Sequence, residues 1–480
     1  MQSVFNSFDW ASVITEAILV ITAVAVLFGS AMLPKRFSLG VSIFAFAGMN
    51  FALLANLLFP TNSTLLLANM PTLSCLIIMC TIFSAQMSFW FFDKLNRAEV
   101  RNEFIATLMI CATGLILFVR SNNLMLSFVA LECATVCLYV MTAFNRNNSA
   151  SLEASVKYLI AGGVSGAFLL MGIALLYGAG RLSGIDFLFF DNFSTGILNN
   201  LFRVGFIFIL AGVFFKLAAF PFQFWAPDVY QGAPTPVSAF FAVASKAAGI
   251  AFLAKICVCL KFDSPELLVA KEQIFIVVSA IAMLTIVVGN LGGLTQVRTK
   301  RLLAFSGISN AGYLLVLIAV ILRSPNVLET IDVVLYFYLA AYMLANYILF
   351  FGVNQFATAD DSMQSFADYR GLMRKSPASC SSMVVALASL AGIPPTAGFF
   401  GKVLILFLAW SAQLYWLLGV MILGSVISIY YYFAWMRVMF NKDEKTTTEF
   451  MPTLVSKQTV VLLAISLIVS SAVVVAFIGA

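Results

Sequence analysis

Apolar runs long enough to cross a bilayer recur along the whole length of this chain. They fall near 11–33, 38–59, 72–92, 104–119, 124–144, 152–178, 201–222, 236–260, 272–292, 302–322, 329–356, 382–409, 413–436 and 457–478. About 20 apolar residues in helical form span the hydrocarbon, and there every backbone polar group needs a partner within its own segment. The pattern predicts an all-α polytopic membrane protein of about 14 transmembrane helices. Composition agrees, since only 10% of residues are charged against about 25% in soluble domains. The connectors near 179–200, 357–381 and 437–456 are too short for a soluble domain. Asp9 precedes the first run, and no basic n-region or small-residue cleavage site is present, so that run reads as a retained span.

Loop charges predict the orientation. The odd-numbered loops hold 16 lysines and arginines and the even-numbered loops hold 6. The positive-inside rule then places odd loops in the cytoplasm and both termini outside. The net charge of +6 belongs to this loop bias, so no nucleic-acid partner is expected. The 8 cysteines form no C-x-x-C and the chain has no histidine, which argues against a metal, haem or Fe–S site. They read as small hydrophobes without disulfides.

Five basic residues fall inside spans beyond their first and last turns: Lys157, Lys216, Lys246, Lys255 and Lys402. A lysine in hydrocarbon costs roughly 2.5–3.5 kcal/mol; making one exchange its proton near neutrality takes about 4 kcal/mol, comparable to the about 3.5 kcal/mol one proton needs to cross ~150 mV. Residues 214–249, FFKLAAFPFQFWAPDVYQGAPTPVSAFFAVASKAAG, set Lys216 and Lys246 around four prolines. If helical, Pro221 frees the Leu217 carbonyl, beside Lys216. In the Pro394-Pro395 break, Pro395, if helical, does the same for Ala391, close to Lys402. Two proline-broken spans, the seventh and twelfth, each with a lysine and five helices apart, predict inverted five-helix repeats. The corresponding division is 1–103, three N-terminal helices; 104–260 and 272–440, the two repeats; and 441–480, a C-terminal helix.

Glu132 is the one clear acid deep in a span, and Lys216 is its expected partner, as a static salt bridge or as a pair whose separation tunes the lysine. Lys246 sits among small residues that leave room for water. Lys402, with no acid near it in sequence, fits a terminal proton donor. Lys157 is either a proton-intake residue or a snorkelling lysine. Lys255 and Glu16, near span ends, read as snorkelling or headgroup-facing. Gln223, Ser306, Ser309, Asn310, Asn346, Ser425 and Ser428 are candidate water-holding groups, and Tyr430, Tyr431, Tyr432 and Trp435 read as an interfacial belt.

The run FKLAAFPFQFWAPDVYQGAPTPVSAFFAVASKAAG, with ALECATVCLY, EASVKYLIAGG, KRLLAFSGISNAGYLL and GIPPTAGFFGK, resembles the N-type antiporter-like subunits of NADH:quinone oxidoreductase, respiratory complex I. The resemblance covers about 100–440. It implies broken seventh and twelfth helices, Glu132 and Lys216 as a coupling pair, Lys246 as the central relay and Lys402 as the outward donor. It implies a proton-translocating subunit with no redox centre of its own, in a complex that holds NADH, FMN, Fe–S clusters and quinone. Partners would be an M-type paralogue and the small A-, J- and K-type subunits. The expected membrane is the bacterial inner membrane, with mitochondrial or thylakoid membranes as alternatives. Gln223 and Asn310 stand where such subunits often carry histidine, and neither titrates. A multisubunit Na⁺/H⁺ antiporter, or a ferredoxin- or hydrogenase-linked complex, is the alternative assignment.

Overall fold

The computed structural model describes residues 13–59, 70–95, 98–179, 197–259, 265–324, 327–355, 361–441, 461, 464 and 465. Nearly all of the expected fourteenth span and the tail lie outside these residues, as do Asp9 and most of the 179–200 connector. Twelve described helices are long and apolar enough to cross a membrane. The first six are α1 (Ile14–Met32), α2 (Ser38–Leu58), α3 (Met70–Lys94), α4 (Ala98–Arg120), α5 (Leu124–Thr142) and α6 (Ser149–Gly178). Then come α7 (Ile197–Leu217), the short α8 (Trp225–Gly232), and α9, which runs through Thr235–Phe240, a π-helical Phe241–Ser245 and Lys246–Cys259. The second half contains α10 (Pro265–Leu294), α11 (Thr299–Arg323), α12 (Leu328–Gln355), the half-length α13 (Pro377–Ala391) and α14 (Ala397–Ser411), and α15 (Tyr415–Phe440).

Local chemistry sets the ends. Asn123 caps α5 by accepting from the Met125 and Leu126 amides, and Asn148 caps α6 by accepting from Ala150, each satisfying donors that have no partner inside the helix. Glycines let backbones cross closely: a Cβ at Gly172 of α6 would strike the Gly205 carbonyl and Ile209 of α7.

The centre belongs to three helices. The most apolar window of α9 is wholly buried, and α11 and α12 are nearly so, whereas α1, α2, α6 and α15 turn most of theirs outward. The helix with Lys246 is therefore the axis of the bundle.

Three expectations are corrected by packing. Tyr431, Tyr432 and Trp435 are buried, and only Tyr430 faces outward. Tyr432 pairs with Ser306, and Tyr431 donates to Asn290 at 3.1 Å, so these rings fill the second half and form no belt. Glu16 is buried, with its carboxylate 2.9 Å from Arg120. Lys255 does not snorkel: its Nζ donates to the Val119 and Ser121 carbonyls at 3.0 and 2.6 Å, a cation closing the C-terminus of α4. Helix ends that meet inside a bundle offer carbonyls as partners, and hydropathy does not reveal them. Among the cysteines, Cys133 is exposed on α5, while Cys80, Cys111, Cys257 and Cys380 are buried.

Candidate functional site: a buried lysine path

Lys216 sits at the end of α7, one residue before the helix stops at Leu217. Residues 218–224 form no helix, and Pro221 lies within this break. Pro221 is thus not helical, and the Leu217 carbonyl belongs to a helix terminus. Ala218 turns the chain with φ of 54°, a left-handed conformation that costs a residue with a Cβ about 1–2 kcal/mol. The Lys216 ammonium donates to Thr135 Oγ1 at 3.0 Å. The expected direct pair with Glu132 does not form. Thr135 lies one turn along the same face of α5 and takes the bond, while the Glu132 carboxylate lies against Gly166 of α6. Glu132 makes no ion pair among the described residues.

The Lys216 stem packs against Gly249, in the turn of α9 that follows Lys246. Lys246 leaves the π-helical stretch, a backbone irregularity common at functional sites. Its Nζ is buried and has no hydrogen-bond partner among the described residues. It lies 5.8 Å from the centre of the Tyr230 ring and directly against Gly307 of α11. The Tyr342 hydroxyl of α12 approaches the same glycine. Among the described residues, the Tyr230, Tyr342 and Ser245 hydroxyls and Asn346 Oδ1 are also buried and make no hydrogen bond of normal geometry. Such a cluster is normally satisfied by bound water.

A cavity of about 10 Å³, close to the space one water needs, is lined by Tyr342 on one side and by Asn310, Tyr338, Ser389 and Lys402. The Tyr338 hydroxyl donates to Asn310 Oδ1 at 2.6 Å, and the Asn310 amide donates to the Ser306 carbonyl at 2.7 Å. Ser309 bonds the same carbonyl at 2.9 Å. Lys402 Nζ donates to the Leu390 and Ala391 carbonyls at 2.8 and 3.2 Å. It lies 5.1 Å from the Tyr313 ring centre. The second break, 392–396, contains Pro394 and Pro395, but α13 is ended by Gly392 with φ of +82°, a conformation that favours glycine.

Lys157 is half-exposed and paired, at 2.8 Å to Glu153 and 2.9 Å to Asp228 of α8, which also binds Arg301 of α11. Gln223 lies in the first break with its Oε1 buried and unpartnered among the described residues. Ser425 and Ser428 lie on α15; Ser425 reaches the Tyr313 hydroxyl at 3.5 Å and Ser428 bonds its own helix.

The match to known proteins covers the same elements. A family model described as NADH:quinone oxidoreductase/Mrp antiporter, TM, matches residues 121–428. This chain belongs to that family. A relative from Opitutus terrae named NADH-quinone oxidoreductase subunit N 1 is 43% identical over 71% of this chain and 67% of its own length. A relative from Picosynechococcus named NAD(P)H-quinone oxidoreductase subunit 2 is 34% identical over 91% of this chain and 82% of its own. A chain in the structure of respiratory complex I from Thermus thermophilus with bound aureothin superposes with a TM-score of 0.77 at 30% identity, covering 95% of this chain and 96% of that one. A chain of an archaeal membrane-bound sulfane sulfur reductase shares the fold, with a TM-score of 0.82 at 20% identity, 97% of this chain and 95% of that one being covered.

Within this quinone oxidoreductase and antiporter family fold, Lys216, Lys246, Asn310 and Lys402 are all buried, Asn310 and Lys402 line one cavity, and Lys157 stays half-exposed. Thr135, Tyr338 and Tyr342 join this set and were not singled out from the sequence. Tyr338, Tyr342 and Asn346 follow at four-residue spacing, so one polar stripe on an apolar helix was a readable signal. Lys300 and Asp361 carried no such signal, because each reads as a loop charge.

Proposed function

We propose that this chain is an N-type membrane-arm subunit of NADH:quinone oxidoreductase that moves protons across the membrane while quinone is reduced elsewhere in the complex. The observation that carries the reading is the unpaired, buried Lys246 ammonium, set between Lys216 and the cavity that leads to Lys402. A buried charge without a partner is costly to keep and adds nothing to stability. Proton exchange gives such a group a purpose. Lys216 receives a proton as its bond to Thr135 loosens, and Glu132, close enough to act through its charge, modulates that step. Lys246 relays it past Tyr342, and Lys402 passes it outward from the Leu390 and Ala391 carbonyls. Lys157, with Asp228 and Arg301, guards the intake side. Gln223, Ser309 and Asn310 hold water and do not titrate.

Residues 104–260 and 272–440 form the two inverted repeats in this reading, with 1–103 and 441–480 flanking them. NADH, FMN, Fe–S clusters and quinone belong to the other subunits. The neighbours are an M-type paralogue on one side and small A-, J- and K-type subunits on the other. The membrane is the bacterial inner membrane, with both termini outside. Isolation in mild detergent tests this: on a native gel the chain co-migrates with a very large NADH-oxidising, quinone-reducing assembly. Migration in a smaller particle that exchanges sodium for protons would transfer the assignment to the antiporters.

A further inference from the structure

Thr235 opens the helix that carries Lys246, and the residue before it is Pro234, whose side chain has no acceptor for the free amides of a helix start. A carboxylate from a distant part of the chain takes that role. Asp361 Oδ2 accepts from the Thr235 amide at 2.9 Å and from its hydroxyl at 2.6 Å. The same oxygen lies 2.6 Å from Lys300 Nζ, and Lys300 also donates to the Ala233 carbonyl at 2.9 Å. Both side chains of this ion pair are 1% exposed.

The segment with Asp361 travels with α11. The Thr299 amide donates to the Gln364 carbonyl at 3.1 Å, and the Phe366 amide donates to Val297 at 3.2 Å. Arg298 and Ser365 pair as an isolated antiparallel bridge. Lys300 and Gly307 are seven residues apart, so they share one face of α11. The face that grips the start of α9 through Lys300 is therefore the face that meets Lys246 two turns further in.

We propose that Asp361 and Lys300 are positioning residues, whose buried ion pair locks α9 in register with α11 and so holds Lys246 against Gly307 and Tyr342. This rests on the relay reading of Lys246. A buried ion pair adds little to stability compared with well-packed apolar residues, and fixing register is its best-attested use. Without the lock, α9 shifts against α11, and displacing a transfer group by about 1 Å costs on the order of a hundredfold in rate.

The test uses the whole complex in sealed membranes carrying Asp361→Asn, Lys300→Met, Asp361→Glu and, as reference, Lys246→Ala. Assembled complex is measured on native gels, and protons pumped per NADH oxidised are measured across pH. Asp361→Asn and Lys300→Met are expected to lower pumping per assembled complex about tenfold and to move its pH profile, with Asp361→Glu recovering part of the loss. Thr235→Val, which removes only the hydroxyl bond, gives a smaller loss of the same kind and serves where Asp361→Asn does not assemble. Impaired Lys246→Ala beside normal pumping and pH profile in Asp361→Asn overturns the lock alone. A fall confined to the amount of assembled complex overturns the lock as well. Normal pumping by Lys246→Ala overturns the relay and the lock together.

Discussion

Lys402 donates to the Leu390 carbonyl at 2.8 Å, so the cation of one half-helix closes the end of the other across the break between them. The carbonyl end of a helix carries partial negative charge and favours a cation. Two of the three protons of the Lys402 ammonium are held by the Leu390 and Ala391 carbonyls, which leaves the third free to be handed on in the proposed donor role.

Lys402→Met breaks this closure. It leaves two buried carbonyls without a donor, each worth about 1–3 kcal/mol, so thermal inactivation of the complex comes earlier. Pumping falls severalfold at the same time. Unchanged pumping in sealed vesicles would refute the role as donor.

Lys246→Met separates function from stability in the opposite direction. The replaced ammonium has no hydrogen-bond partner, so an apolar side chain of similar length is expected to leave the complex as heat-stable as before, or more so. Pumping and coupled quinone reduction drop together. A marked loss of stability would show that the ammonium is held by a partner of its own.

Gly307→Ala gives the sharpest steric test. A Cβ there collides with the Lys246 ammonium, whereas a Cβ at Gly163 meets nothing within 4 Å. The first change is expected to displace the ammonium and lower pumping severalfold, and Gly163→Ala to leave it untouched. Equal behaviour of the two variants rules out the close approach of α11 to Lys246.

Glu132→Gln and Thr135→Val probe the intake pair separately. Thr135 accepts directly from the Lys216 ammonium, whereas Glu132, in the proposed relay, would act on it only through its charge. Glu132→Gln is expected to lower the proton-to-electron ratio in assembled complex. Thr135→Val removes a hydrogen bond worth about 1 kcal/mol and changes turnover a few fold. A Glu132→Gln complex with a normal ratio removes the carboxylate from the coupling step.

Much of this protein was legible in its residues. Runs of hydrocarbon length place most of the described helices to within a few residues, because lipid leaves an apolar segment no other way to satisfy its backbone. The cost of burying lysine singled out Lys216, Lys246 and Lys402 before any contact was known. Partners were another matter. Thr135, and not Glu132, receives the bond from Lys216; Lys255 caps α4; Gly392 ends α13; Asp361 caps a helix more than a hundred residues earlier in the chain. Sequence by itself determined which groups are too costly to bury without a purpose, since that follows from each side chain and its neighbours in the chain. Only the tertiary structure decided which of them meet, because a hydrogen bond is made over about 3 Å, and which faces come that close depends on how the helices pack against one another.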